Sequence, residues 1–270
     1  MTKTQISLSP IGVFDSGIGG LTVVREILKR LPNENLIYLG DTARVPYGTK
    51  SSRTVIAYSE GNARFLLSKG IKLLVVACNT ASAVALPSLR WDFEIPVIGV
   101  IEPGARKAAR VTRTGKVGVI GTPSTIRSNA YKKAIENISP EIEVYSKACP
   151  LFVPLAEEGW TYGEIVEIAA KEYLEDLKES GIDVLILGCT HYPLLKSTIQ
   201  NVIGKGVTLV DSAEETASEI ERILRENNIS NKNFASPQKE FYLTDVSETF
   251  ISIAERFLGE KIERVEQVDI

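Results

Sequence analysis

Histidine, methionine, tryptophan and cysteine are scarce in this chain of 270 residues, which holds one, one, two and three of them. A structural zinc site takes three or four Cys and His ligands. With no C-x-x-C pair, and His191 as the single histidine, no metal is expected. Three cysteines do not make a disulfide framework either. Long apolar runs are missing too, and nothing approaches the roughly 20 residues of a spanning helix. The opening MTKTQISLSP lacks the apolar core of a leader segment, so the cytoplasm is the expected compartment. No charge sign dominates: 31 Lys and Arg stand against 34 Asp and Glu, for a net charge of -3. That balance argues against a basic surface for nucleic acid or an anionic membrane, and neither is expected as a partner.

What remains is an ordinary soluble composition, 44% hydrophobic and 24% charged. The length allows one large domain or two small ones. Short apolar runs alternate with longer amphipathic stretches. Strands are predicted at Ile11–Phe14, Leu36–Leu39, Leu73–Ala77, Val97–Val100, Lys116–Ile120, Val184–Leu187, Thr208–Val210 and Phe241–Leu243. Helices are predicted near 20–30, 53–69, 80–91, 125–137, 162–179, 194–202, 213–227 and 247–258. Runs such as LLVVA and VLILG are apolar at every position, as strands covered on both faces must be. Such alternation predicts an α/β fold with parallel sheets.

The chain echoes itself. Gly70-Ile71-Lys72-Leu73-Leu74-Val75-Val76-Ala77-Cys78 matches Gly181-Ile182-Asp183-Val184-Leu185-Ile186-Leu187-Gly188-Cys189. Earlier, Ile11-Gly12-Val13-Phe14-Asp15-Ser16 resembles Val117-Gly118-Val119-Ile120-Gly121-Thr122. The offsets are 111 and 106 residues. Any two buried parallel strands look somewhat alike, but a cysteine at the same end of both is a stronger coincidence. Two similar doubly wound parallel-sheet lobes are therefore expected, facing each other across a cleft about a pseudo-twofold axis.

In open α/β sheets ligands bind beyond the carboxyl ends of the strands. Four loops occupy such ends: Asp15-Ser16-Gly17, Cys78-Asn79-Thr80, Gly121-Thr122 and Cys189-Thr190-His191. A free thiol has a pKa of about 8.5, lowered at a helix N-terminus. Both Cys78 and Cys189 precede a predicted helix, so each is a candidate acid or base near neutral pH. One base and one acid on opposite faces of a carbon can remove a proton from one side and return it to the other. That inverts a stereocentre. A lone buried cysteine usually just packs, and that is the reading for Cys149, which has no counterpart in the repeat.

Ser16, Asn79, Thr80, Thr122 and Thr190 are candidate contacts for a small polar substrate, or simply helix caps. Asp15 either polarises a thiol, accepts an ammonium or shapes its turn. His191 earns attention through its adjacency to Cys189. The run Gly17-Ile18-Gly19-Gly20 followed by Asp41 suggests a dinucleotide fingerprint, but Thr22 stands where that fingerprint needs glycine. No lysine lies in the four loops to form a Schiff base with pyridoxal phosphate.

The segments GVFDSGIGGLTV, GDTARVPYG, VVACNTAS, GVIGTPSTI, CPLFVPLAEEG and LILGCTHYPLL cover most of the chain. Together they resemble the glutamate racemases of the aspartate/glutamate racemase superfamily, which use no cofactor. The resemblance implies glutamate as substrate and D-glutamate as a product for peptidoglycan synthesis. It implies that Cys78 serves the D-enantiomer side and Cys189 the L side, with Asp15, His191 and Glu157 assisting. Asp15-Ser16, Tyr47-Gly48, Asn79-Thr80, Thr122 and Thr190-His191 would contact substrate. It also implies a homodimer, and a tail after Asp211 that returns to the first lobe. The lobes would then be residues 1–98 with 211–270, and 99–210. Two rival readings are an aspartate racemase built on the same cysteines and an amino-acid-binding protein without catalysis.

Overall fold

The computed structural model of the chain describes residues 3–233 and 237–270. Its strands are β1 (Ile11–Asp15), β2 (Leu36–Gly40), β3 (Leu73–Val76), β4 (Val97–Gly99), β5 (Lys116–Gly121), β6 (Glu143–Ala148), β7 (Val184–Gly188), β8 (Thr208–Asp211), β9 (Lys239–Leu243) and β10 (Glu266–Gln267). Its helices are α1 (Lys3–Leu8), α2 (Leu21–Arg30), α3 (Ser52–Ser68), α4 (Asn79–Asp92), α5 (Ile101–Val111), α6 (Pro123–Arg127), α7 (Ala130–Glu136), α8 (Phe152–Glu157), α9 (Glu164–Glu179), α10 (Lys196–Ile203), α11 (Ser212–Glu226) and α12 (Glu248–Leu258). All the strand pairs are parallel. They form two sheets, ordered β10-β9-β2-β1-β3-β4 and β6-β5-β7-β8. Strands β1, β2, β3 and β7 are buried along their whole length, which is why their sequences are continuous apolar runs.

The sequence echo is an echo of topology. The order β2-β1-β3-β4 in one sheet repeats as β6-β5-β7-β8 in the other. Register repeats as well. Ile11 pairs with Leu73 in the first sheet, and their aligned counterparts Val117 and Val184 pair in the second. Gly70 and Gly181, which open the longer echo, stop α3 and α9 in equivalent ways. Their φ angles are 75° and 74°, in the left-handed region where a Cβ is penalised. The Gly70 N–H reaches the Leu67 carbonyl at 2.9 Å, and the Gly181 N–H reaches Lys178 at 3.2 Å.

The two lobes share one continuous apolar cluster. It runs from Val13 and Val24 through Ile220 and Phe257 to Leu185 and Ile199. Helix α11 packs against both α2 and α5. Strand β9 pairs with β2 and β10 with β9, so the tail's strands extend the first sheet. Helix α12 packs on α2.

Some elements differ from the sequence-based expectation. The single helix expected over 125–137 is two, α6 and α7, separated at Asn129, whose φ of 54° interrupts the helical path. Strand β6 and helices α5 and α8 were not foreseen. The helix after Cys189 begins only at Lys196, beyond a 3₁₀ turn over Tyr192–Leu195. Cys78 caps a helix directly and Cys189 does not, because Pro193 in that turn tightens the exit from β7.

In each sheet the chain order reverses between two central strands, β1 and β3 or β5 and β7. Such a switch leaves a crevice at the strands' carboxyl ends. The four loops singled out from the sequence leave these strands.

Candidate active site

A cavity of about 340 Å³ opens between the two switch points. Ser16, Tyr47, Gly48, Cys78, Asn79, Thr80, Thr122, Glu157, Cys189, Thr190 and His191 all line it. Every site residue expected from the sequence is thus on its wall except Asp15. Asp15 ends β1 directly behind the wall and is fully buried. Ile18, Val45, Pro150, Val153 and Phe250, none of them among the expected site residues, supply apolar surface.

Each thiol has its own surroundings. Cys78 is 6% exposed and Cys189 4%, so both reach the cavity from otherwise buried positions. Cys78 Sγ donates to Ser16 Oγ at 3.4 Å. Burial pushes the Cys78 thiol up to about 12, and the nearby negative charge of Asp15 adds to the rise. Helix α4 begins at the next residue, but desolvation outweighs its N-terminal field. Of the two roles open to Cys78, acid or base, this environment favours the protonated thiol, the acid.

Cys189 faces a hydrogen-bonded chain. Its Sγ lies 3.8 Å from His191 Nδ1, and His191 Nε2 lies 2.9 Å from Glu157 Oε1. Thr190 Oγ1 is 3.3 Å from the same Nδ1. Burial opposes a charged imidazole, but the partners Cys189 and Glu157 more than offset it and hold the His191 pKa up to about 10. Of the two adjacent acids, Glu157 is the one that meets this histidine and the cavity. The Phe257 ring of α12 stands edge-on to His191, with centroids 5.1 Å apart. From the same helix, Arg256 Nη1 donates to the Glu157 carbonyl at 3.0 Å.

Asp15 lies between the two thiol environments. Burial raises its pKa above 3.8, against the pull of the His191 charge and the Gly20, Gly17 and Ser16 N–H groups. Its Oδ2 accepts from the Gly17 N–H at 3.0 Å, while Oδ1 has no partner among the described residues.

The lobes touch through polar groups at the site. The Thr80, Thr122 and Thr125 hydroxyls form a triangle with sides of 3.0, 3.0 and 3.3 Å. Thr122 also caps α6, accepting from the Thr125 N–H, so the capping and cavity readings of this residue both hold. Thr22 Oγ1 donates to the Thr190 carbonyl at 2.9 Å. The residue that spoils the dinucleotide fingerprint is thus a tie between lobes. Gly19 in that run has a packing reason, since a Cβ there would collide with the Thr190 hydroxyl and the His191 ring. Asp41 is turned inward: its carboxylate accepts from Arg44, Thr244 and Tyr47 and so pins the loop carrying Tyr47-Gly48.

Two buried thiols lining one cavity between two like α/β lobes suit a class of enzyme that moves a proton across a carbon centre. The chain belongs to the Asp/Glu/Hydantoin racemase family, whose model matches residues 11–220. A glutamate racemase of Geobacter metallireducens is 58% identical to it over 260 residues, which is 96% of each chain. One from Syntrophus aciditrophicus is 50% identical over 270 residues, covering both chains in full. Among solved structures, the glutamate racemase from Francisella tularensis in complex with D-glutamate matches with a TM-score of 0.92 at 44% identity, covering 97% of this chain and 98% of that one.

Proposed function

We propose that the chain interconverts L- and D-glutamate without a cofactor, by proton transfer at Cα between Cys78 and Cys189. The observation that carries this reading is the pair of buried thiols on one cavity, each with a different proton environment. L-Glutamate gives its Cα proton to Cys189 on one face, and Cys78 delivers its own to the other. The reverse reaction exchanges the roles. His191, protonated through neutral pH and held by Glu157, stabilises negative charge on the Cys189 side. Asp15 and Ser16 serve Cys78. Asn79 Nδ2, which has no partner among the described residues, the Thr80, Thr122 and Thr190 hydroxyls, and the Tyr47-Gly48 turn bind the substrate's carboxylates and ammonium. The polar groups sit in a largely apolar wall, where each bond to substrate is strengthened by the exclusion of water.

Identity to relatives named glutamate racemase supports glutamate over aspartate. Supply of D-glutamate to peptidoglycan synthesis in the cytoplasm, by a homodimer, completes the proposal. The lobes are taken as residues 1–98 with 211–270, and 99–210. Among the described residues no helix is long and apolar enough to cross a membrane.

The test is decay of circular dichroism from L-glutamate and, separately, from L-aspartate, with no cofactor added. Glutamate is expected to racemise and aspartate to be a poor substrate. Cys78→Ala and Cys189→Ala are each expected to lower the rate by at least about 10³-fold, within the range for a general acid or base. Inversion of aspartate but not glutamate overturns the substrate assignment. Full activity in either variant overturns the two-thiol mechanism.

A further inference from the structure

We infer that Tyr131, on α7 of the second lobe, is a positioning residue that fixes the orientation of the Asn79 amide and so turns its N–H groups toward the substrate. The inference rests on the glutamate reading above and adds a residue to it. Tyr131 is not on the cavity wall and was marked by no motif. Its hydroxyl donates to Asn79 Oδ1 at 2.7 Å, across the boundary between lobes. Both side chains are buried, each 2% exposed. Asn79 lines the cavity, yet its Nδ2 has no hydrogen-bond partner among the described residues.

A buried amide donor without a partner carries a desolvation cost that a ligand can remove. The donor direction is set by what the other end of the amide does. Tyr131 engages the oxygen at 2.7 Å, and an amide oxygen can only accept. The phenol's proton therefore goes to Asn79 Oδ1. The amide nitrogen then points away from α7. A flipped amide would present its oxygen to a carboxylate substrate, which repels it.

The ring has a prepared seat. A Cβ at Gly188 would stand 3.0 Å from Tyr131 Cε2, tighter than ordinary contact, and one at Gly104 would stand 3.4 Å from Cε1. Gly188 immediately precedes Cys189. The glycine that ends β7 therefore makes room for the residue that orients the opposite lobe's amide.

Tyr131→Phe keeps the ring in this seat and deletes only the hydroxyl. Steady-state racemisation is measured in both directions. KM is expected to rise about tenfold for both enantiomers, the scale of one hydrogen bond to a charged group, with kcat within about threefold of wild type. In an Asn79→Ala background the same substitution is expected to change KM by less than about twofold, because its effect passes through Asn79. Should Tyr131→Phe fail to fold, Asn79→Asp keeps an oxygen for the phenol and removes the donor, and KM is then expected to rise at least about tenfold. A KM unchanged in the variant that folds, a loss of kcat at constant KM, or effects that add in the double variant would overturn the positioning role. Wild-type protein that leaves glutamate unchanged would overturn the functional reading and this inference with it. Racemising wild type with an unaffected Tyr131→Phe would overturn this inference alone.

Discussion

His191 carries its charge where burial alone would remove it. Glu157 on one ring nitrogen and Cys189 near the other supply the compensation. The sign of the resulting pH dependence follows from the raised pKa. An unfolded chain releases this proton near 6.5, whereas the folded chain keeps it to about 10. The stabilisation is complete below the lower value and is lost as pH rises toward the upper one. Cys78, raised from 9.0 to about 12, acts in the same direction at higher pH. Urea unfolding at several pH values across this window is expected to show falling stability. Glu157→Gln is expected to end the fall at lower pH and to make it smaller, and a flat profile in the wild type would contradict the pairing. The two cysteines were legible in the sequence because duplication repeated them at the same strand end. Glu157 was reached only through resemblance, since nothing in its helix distinguishes it from Glu158. Thr22 was read for what it excludes, and its bond to the Thr190 carbonyl joins residues far apart in sequence.

At the level of elements, legibility followed burial. The strands covered on both faces wrote themselves as apolar runs. Strand β6, with sequence EVYSKA, lies at a sheet edge and has no fully buried residue, so no such run marks it. Helix α5 begins IEPG, and a proline and a glycine so close together hide a helix start, although Pro103 sits in the first turn, where proline is tolerated. The break between α6 and α7 depends on one exposed residue, Asn129, in the left-handed region. Asn129→Ala is expected to lower stability by about 1 kcal/mol and Asn129→Gly to be close to neutral, since only the former meets the Cβ penalty. Thermal melts of the two variants compare them directly. Equal destabilisation by both would show that the Asn side chain, rather than the backbone angle, matters.

Across the whole molecule, the chain's return to the first lobe completes both the sheet and the site. Strands β9 and β10 cover the edge of β2, and α12 brings Phe250 to the cavity and Phe257 to His191. Phe257 is fully buried and belongs to the cluster shared by both lobes. Phe257→Ala is expected to cost about 3 to 5 kcal/mol, as large-to-small changes in a core do. It should also lower kcat below the value for folded protein, because His191 loses its edge contact; unfolding curves paired with active-site titration separate the two effects. The repeated strand order has a consequence of another kind. Mirror-image molecules have equal free energy in water, so a reaction that interconverts them has no downhill side. A catalyst built from two like halves cannot supply one, whatever the differences between its thiols. The direction of net flow through such a site is set outside the protein, by whichever process draws off one enantiomer first.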